Sequence, residues 1–254
     1  MFSNIRYVLL TATRDRLFIG LLIGIVAAAY ISSVLGSTAM LETEQMTIAF
    51  SAASARVIIM VGIIVFIGFH MRNAFDAREI DVLLSRPISR ATLVLSYWVG
   101  FCAVAACLVV PTIVLMAILG TLNKTGFMLW SVSLFAESLL VVSIALFASL
   151  TIKSGVGTVL ASMAIYTLSR MMGFFLSTTT AGNVFKQHEI NVGAQWLMDA
   201  ISLVVPRLDF FAKSNWLIYG AKSYEDASLF LIQSVVFIPL LLAASVIDFK
   251  RKQF

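Results

Sequence analysis

Long apolar stretches alternate with shorter polar ones along the whole chain. Six of the apolar stretches contain enough residues to cross the roughly 30 Å hydrocarbon core of a membrane as helices. The pattern therefore predicts an all-α integral membrane protein with one transmembrane domain over residues 1–254. The six spans are predicted at residues 17–34, 48–69, 92–119, 128–150, 155–176 and 228–247.

Two further segments carry helical patterns outside these spans. Phe2, Ile5, Leu9 and Ala12 recur at helical spacing ahead of the first span, which predicts an amphipathic helix on the membrane surface. The external loop 177–227 is too long for a simple connection and is rich in aromatic residues. It predicts re-entrant or interfacial helices before the last span, with a lid over the bundle as the alternative.

The composition supports this class. Apolar residues make up 60% of the chain and charged residues only 12%, against about 25% charged in soluble domains. Such a chain cannot cover a soluble surface, which excludes a soluble enzyme, a disordered chain and a disulfide-stapled module. Cys102 and Cys107 lie on different faces of one span, and His70 and His188 have no metal-ligand spacing. We therefore expect no metal site and no catalytic residue.

Basic residues flank the spans unevenly, which predicts the orientation. With a cytoplasmic N-terminus, eleven Lys and Arg residues lie inside and five outside, and four of the five share the long loop. We expect a multi-pass protein of the bacterial inner (plasma) membrane with both termini cytoplasmic. The net charge of +5 comes from these flanking bases and not from a basic run on a soluble domain. We expect contact with the lipid bilayer and none with nucleic acid.

The loop at residues 70–90 mixes four bases with three acids, so it is not a polybasic lipid anchor. Residues 75–84 have helix-compatible composition, and Pro87 suits the first turn of the following helix. The sequence predicts a short cytoplasmic helix held between two spans. A loop that only connects spans has no need of such a helix, whereas a docking element does.

This loop resembles the first cytoplasmic loop of ABC-2 type transporter permeases. The similar residues are Glu79–Arg90 (EIDVLLSRPISR) and Leu95–Gly100 (LSYWVG), although Phe101 stands where the family usually has Lys. Val205–Phe210 (VPRLDF), with the aromatic residues that follow it, is similar to the family's external segment before the sixth helix. Permeases of the nosY-like copper-accessory and haem-exporter B types share this topology.

The resemblance implies a transport subunit that is not itself an enzyme. The chain has no G-x-x-x-x-G-K-[ST] motif, so a separate cytoplasmic ABC ATPase would bind ATP and Mg, and this chain no cofactor. It also implies a homodimer or a pairing with a related permease. The residues that would couple the permease to the ATPase are Phe75, Asp76, Glu79, Ile80, Leu84 and Pro87.

Three charged residues fall inside predicted spans: Arg56, Glu137 and Arg170. Glu137 and Arg170 lie in adjacent spans at depths that differ by about 5 Å at 1.5 Å per residue. Charges in a bilayer are costly unless they are paired. A structural ion pair, a polar lining of a substrate route, and snorkelling to the headgroups, chiefly by Arg56, remain open.

Small residues at helical spacing permit close helix contacts. Gly20 and Gly24 in the first span and Gly157 and Ala161 in the fifth have this spacing. The family resemblance would place both helices at a dimer interface, and packing within one subunit is the alternative.

The leading hypothesis is the permease subunit of an ABC-2 type ATP-driven exporter. A secondary transporter is the first alternative, although the chain lacks the matching broken helices of inverted repeats. A membrane-embedded enzyme is the second, and the spans lack the polar constellation that such chemistry needs. The transported substrate is not specified by any motif.

Overall fold

The computed structural model describes residues 2–38, 42–80, 89–119, 123–182, 205–220 and 224–251. These residues form helices and connecting turns, with no strand among them. One 3-10 turn, Leu208–Phe210, precedes the short helix α7. The helices are α1 (Phe2–Arg14), α2 (Arg16–Ser37), α3 (Thr43–Asp76), α4 (Arg90–Leu119), α5 (Lys124–Thr151), α6 (Gly155–Gly182), α7 (Asn215–Tyr219) and α8 (Tyr224–Arg251).

Six of these helices, α2 to α6 and α8, are long and apolar enough to cross a membrane. The chain is therefore an all-α, multi-pass membrane protein, as predicted from the six apolar stretches. Each helix runs beyond at least one end of its predicted span, and α3 is the clearest case. Its 34 residues correspond to about 51 Å at 1.5 Å per residue, well above the roughly 30 Å that a bilayer requires.

Helix α5 forms the centre of the bundle and packs against α3, α4, α6 and α8. It tolerates buried serines because their hydroxyls bond carbonyls of the preceding turn: Ser138 donates to Phe135 and Ser149 to Leu146. Ser143 in addition accepts a 2.9 Å hydrogen bond from the Trp98 indole of α4. Helix α2, by contrast, packs mainly on α3 and leaves much of its surface outward.

Helix α1 is present as predicted, but its apolar face packs on protein. Val8 and Ala12 are buried, and Val8 lies against Gly100 of α4, where an added Cβ would be 3.1 Å from Val8 Cβ. The outward face carries Arg6, Tyr7, Leu10 and Arg14. Asp15 then ends α1 and caps α2 by accepting a 3.0 Å hydrogen bond from the Leu17 amide.

The first described helix, α1, and the end of the last one, α8, lie at the same end of the bundle. Arg90, at the start of α4, donates 3.1 Å hydrogen bonds to the carbonyls of Phe249 and Lys250 at the end of α8. Because α1 packs on α4 nearby, we call this end the terminal side and the opposite end the distal side. Lys153 of the α5–α6 turn lies on the terminal side, and Lys124 at the start of α5 lies on the distal side.

The segment after α3 differs from the predicted continuous helix over residues 75–84. Phe75 and Asp76 are the last residues of α3, and the chain then turns through Ala77 and Arg78. Arg78 has a left-handed φ of 54°, which breaks the helix before it resumes at Glu79. Leu84 and Pro87 lie outside the described residues, as do His188 and most of the external loop 177–227.

Candidate functional site

Glu137 of α5 is fully buried in the membrane-spanning part of the bundle. Arg170 of α6 places Nη1 3.7 Å from its Oε1, and the Tyr166 hydroxyl donates to the same oxygen over 3.4 Å. The structure thus brings together Glu137 and Arg170, whose similar depths in adjacent spans made an ion pair one of the predicted alternatives. Their proximity also explains how a carboxylate can occupy this apolar interior.

The same cluster holds main-chain carbonyls of residues 205–219, which we call the inserted segment. Arg170 Nη1 donates to the carbonyl of Leu208 and, over 2.9 Å, to that of Phe211. Arg56 Nη1 of α3 donates to the carbonyl of Ala212 over 2.6 Å. Arg56 therefore does not snorkel to the headgroups but binds a second part of the same segment.

Side chains of α5 and α8 hold the inserted segment as well. Ser133 of α5 accepts a 2.9 Å hydrogen bond from the Ala212 main-chain amide. Gln233 of α8 accepts a 3.2 Å hydrogen bond from the Arg207 main-chain amide. Four spanning helices thus bond one short stretch of backbone. Its apolar side chains complete the core, since Leu208, Phe211, Ala212, Trp216 and Leu217 are all buried.

Two glycines of the spanning helices make room for this segment. An added Cβ on Gly126 would overlap the Trp216 carbonyl and lie 3.0 Å from Gly220 Cα. An added Cβ on Gly173 would lie 3.0 Å from the Asp209 carboxyl carbon. Such contacts between distant residues carry no periodic signal, so sequence patterns could not find them.

The charges of the cluster do not cancel. Two guanidinium groups, Arg56 and Arg170, face one carboxylate, Glu137, whose Oε2 has no hydrogen-bond partner among the described residues. Nearer the surface, Arg207 pairs with Asp209 over 2.8 Å and stacks over the Phe210 ring at 4.2 Å. Lys213 lies 5.6 Å from the same ring. The excess of positive over negative charge therefore lies in the cluster of Arg56, Glu137 and Arg170.

On the terminal side, Arg72 connects the end of α3 to the α5–α6 turn. It pairs with Asp76 at 2.6 Å and donates to the carbonyl of Lys153 in the α5–α6 turn. Asp76, a predicted contact for an ATPase, therefore already has a partner within the chain, although its side chain remains exposed. The end of α3 and the α5–α6 turn form one connected surface.

Glu79 joins the same region to α1. Its Oε1 accepts a 3.0 Å hydrogen bond from the Tyr7 hydroxyl. Partial burial, and then this carboxylate, raise the pKa of Tyr7 above its usual value, so the phenol remains a donor at neutral pH. His70 packs beside Tyr7, with ring centroids 6.3 Å apart. The segment that follows α3 is thereby fixed to α1 through Glu79.

Of the predicted coupling residues, only Ile80 is fully buried among those the structure describes. Ile80 is 1% exposed and belongs to the core, and Phe75 is half-buried against it. Ile80 therefore holds the segment in position rather than lying at its surface, and the coupling role of Phe75 stays a prediction. Among the described residues of this region, the exposed ones are Asn73, Asp76, Ala77, Arg78, Thr151, Lys153 and Ser154.

The predicted dimer-interface residues separate into two groups. Gly24 faces Ile58 of α3, with an added Cβ 3.9 Å from its Cγ2, and Gly157 faces Ile152 of its own α5–α6 turn. Gly20 is exposed and has open space around it. Ala161 is half-buried on α6. Of these four residues, Gly20 is the most exposed, and the dimer interface stays a prediction.

Within the described ranges, no group of three or more His, Cys, Asp or Glu side chains could hold a metal ion. Cys102 and Cys107 are both free thiols. In comparisons with known proteins, no family model and no curated protein matches the sequence.

Proposed function

We propose that this chain is the membrane-spanning permease subunit of an ABC-2 type ATP-driven exporter. A separate cytoplasmic ATPase would hydrolyse ATP, and the terminal side of the bundle would face it. The chain would insert in the bacterial inner membrane with both termini cytoplasmic, as a homodimer or with a related permease. The motif resemblance and the six-span topology motivate the proposal.

The connected terminal-side surface is the observation that carries it. A subunit driven by an external ATPase needs a docking surface that moves together with its spans. Here the exposed turn at Ala77 and Arg78 follows directly on α3, which crosses the membrane. Arg72 connects it to the α5–α6 turn, and Glu79 connects it to α1. Movement of this surface would be transmitted to α1, α3 and the turn between α5 and α6.

Ala77 offers the sharpest test of docking. Its side chain is exposed and its backbone is ordinary, with φ −77°, so Ala77→Glu alters the surface without breaking the Arg72 or Tyr7 contacts. Tagged protein purified from its native host in mild detergent should retain an ATPase that contains a P-loop. Ala77→Glu should lose most of this ATPase through charge and bulk at the contact, while its folded yield stays unchanged.

Thr13→Glu is the matched control, since Thr13 is an exposed residue of α1 away from the turn. It should retain the ATPase as the unchanged chain does. Equal recovery with Ala77→Glu would move the docking surface elsewhere. Substrate movement driven by an ion gradient, with no ATPase bound, would favour a secondary transporter.

A further inference from the structure

The buried cluster of Arg56, Glu137 and Arg170 carries one more positive than negative charge. An uncompensated charge in an apolar interior is costly, so it requires oxygen atoms around it. In this structure the carbonyls of Leu208, Phe211 and Ala212 supply them. They are neutral dipoles, and a true anion would neutralise the excess charge more completely.

These carbonyls belong to backbone that is not part of a regular long helix. The 3-10 turn Leu208–Phe210 has only three residues. Ala212 follows with a left-handed φ of 42°, a conformation that costs about 1–2 kcal/mol for an L-residue. The stretch is held by side-chain hydrogen bonds from the spanning helices and by the burial of its apolar side chains. Its withdrawal would expose those side chains and would leave both guanidinium groups without their carbonyls.

The site is also only partly enclosed, and further cations lie along the inserted segment. The Arg170 side chain is 24% exposed, although its partner Glu137 is fully buried. Arg207 and Lys213 border the Phe210 ring at the surface. Arg207 is paired with Asp209 over 2.8 Å, and cations beside an aromatic ring suit a molecule with a charged head and an apolar body.

We propose that Arg56 and Arg170 form a binding site for the carboxylate or phosphate headgroup of an amphipathic anion, and that the inserted segment occupies this site in the present state. The guanidinium groups donate to headgroup oxygens in place of the carbonyls of residues 208–212. Glu137 limits the positive charge of the site to a single excess unit. The identification of this anion as cargo rests on the proposed function.

A fluorescent fatty acid, dansyl-aminoundecanoate, tests the site on the purified full-length chain in phosphatidylcholine nanodiscs. Its methyl ester has the same body and no charge. Charge-assisted hydrogen bonds predict that the acid binds at least about tenfold more tightly than the ester. Arg56→Gln and Arg170→Gln should each remove this preference, whereas Arg6→Gln, on the outer face of α1, should keep it.

Glu137→Gln gives an independent readout that does not depend on removing an arginine. It keeps the side-chain shape and raises the excess charge, so the preference for the acid should increase several-fold. An unchanged preference in all of these variants, or equal binding of acid and ester to the unchanged chain, would overturn the proposal. A purely structural cluster would give that result.

A disulfide between the inserted segment and α5 tests whether the segment covers the site. Ser133 Oγ is 2.9 Å from the Ala212 amide nitrogen, so Ser133→Cys with Ala212→Cys, in a background with Cys102 and Cys107 replaced by Ala, brings two thiols close together. Oxidation should abolish binding of the acid, and reduction should restore it. Binding that persists in the oxidised form would contradict the covered site.

Nanodiscs that contain phosphatidylglycerol distinguish two possible occupants of the site, a transported anion and an anionic lipid of the bilayer. Loss of acid binding in these discs would identify an anionic lipid as the occupant and overturn the assignment to cargo. Retained binding would support it. Neither assay uses the ATPase, so a negative result here leaves the docking proposal standing, and failed ATPase capture leaves the anion site standing.

Discussion

Gly126 shows how one residue can decide whether the distal side assembles. Any side chain at this position would meet main-chain atoms of Trp216 and Gly220, which cannot rotate away. A Cβ added at Gly20, in a comparable helical setting on α2, would meet no neighbour within 4 Å among the described residues beyond its own helix backbone. The two glycines therefore have opposite tolerance for a methyl group, although both lie in apolar helices.

We expect Gly126→Ala to lower stability by about 1–3 kcal/mol or more, since overpacking must displace α7. Gly20→Ala should leave stability unchanged or raise it by up to about 1 kcal/mol through helix propensity. Thermal unfolding of the purified proteins in one detergent measures both. Equal unfolding temperatures for the two variants would contradict the close contact at Gly126. A change of oligomeric state with Gly20→Ala would support Gly20 at the dimer interface.

Ser133 allows a similar comparison within one helix. Its hydroxyl accepts from the Ala212 amide, whereas the Ser131 hydroxyl donates to the Phe127 carbonyl within α5. Only Ser133 therefore bonds the inserted segment. The two positions separate an effect on the segment from an effect on the helix.

Ser133→Ala should leave the Ala212 amide buried without an acceptor, at a cost of about 1–3 kcal/mol. Hydrogen exchange of peptides covering residues 208–216 should then accelerate at least about fivefold, since about 1 kcal/mol corresponds to that factor. Ser131→Ala should leave the exchange of these peptides unchanged. Unaltered exchange in both variants would place the stability of the segment in its apolar contacts alone.

At the scale of elements, the spans and α1 could be predicted because apolar length and helical periodicity are local properties. The pairing of Glu137 with Arg170 could be anticipated from depth, since a helix rises a fixed distance per residue. The second role of Arg170 could not, because its acceptors are main-chain carbonyls that exist at every residue. The break at Arg78 was also missed, since a left-handed residue other than Gly leaves no compositional mark.

The packing of the inserted segment could not be predicted at this scale. Its aromatic residues predict an interfacial or re-entrant element but not its contacts. Its position between α3, α5, α6 and α8 depends on space left by Gly126 and Gly173, on donors from α3 and α6 and on acceptors from α5 and α8. Such requirements are spread over distant parts of the chain and become visible only once the helices are packed.

At the scale of the whole molecule, the two ends of α5 offer a direct test of orientation. Lys124 and Ser154 are both exposed and lie at opposite ends of the bundle. In a cysteine-free background, Lys124→Cys should react with a membrane-impermeant maleimide in intact spheroplasts, and Ser154→Cys should react only after permeabilisation. The charge bias of the short loops supports this orientation.

The reverse labelling pattern would place the termini outside and remove the ATPase proposal, because the terminal-side surface would then face away from the cytoplasm. Labelling of both positions in intact spheroplasts would contradict α5 as a complete span. Comparable labelling of both cysteines after permeabilisation is the control that each side chain is accessible.

The packing of α1 on α4 also affects how the chain is made. Val8 and Gly100, which touch in the finished protein, are separated by roughly ninety residues, or about 5–20 s of translation at 5–20 residues per second. During that interval the N-terminal helix has left the ribosome, but the surface that buries Val8 and Ala12 has not yet been synthesised. The first helix of the chain must therefore wait, with its apolar stripe against lipid or a chaperone, until the third spanning helix has been inserted.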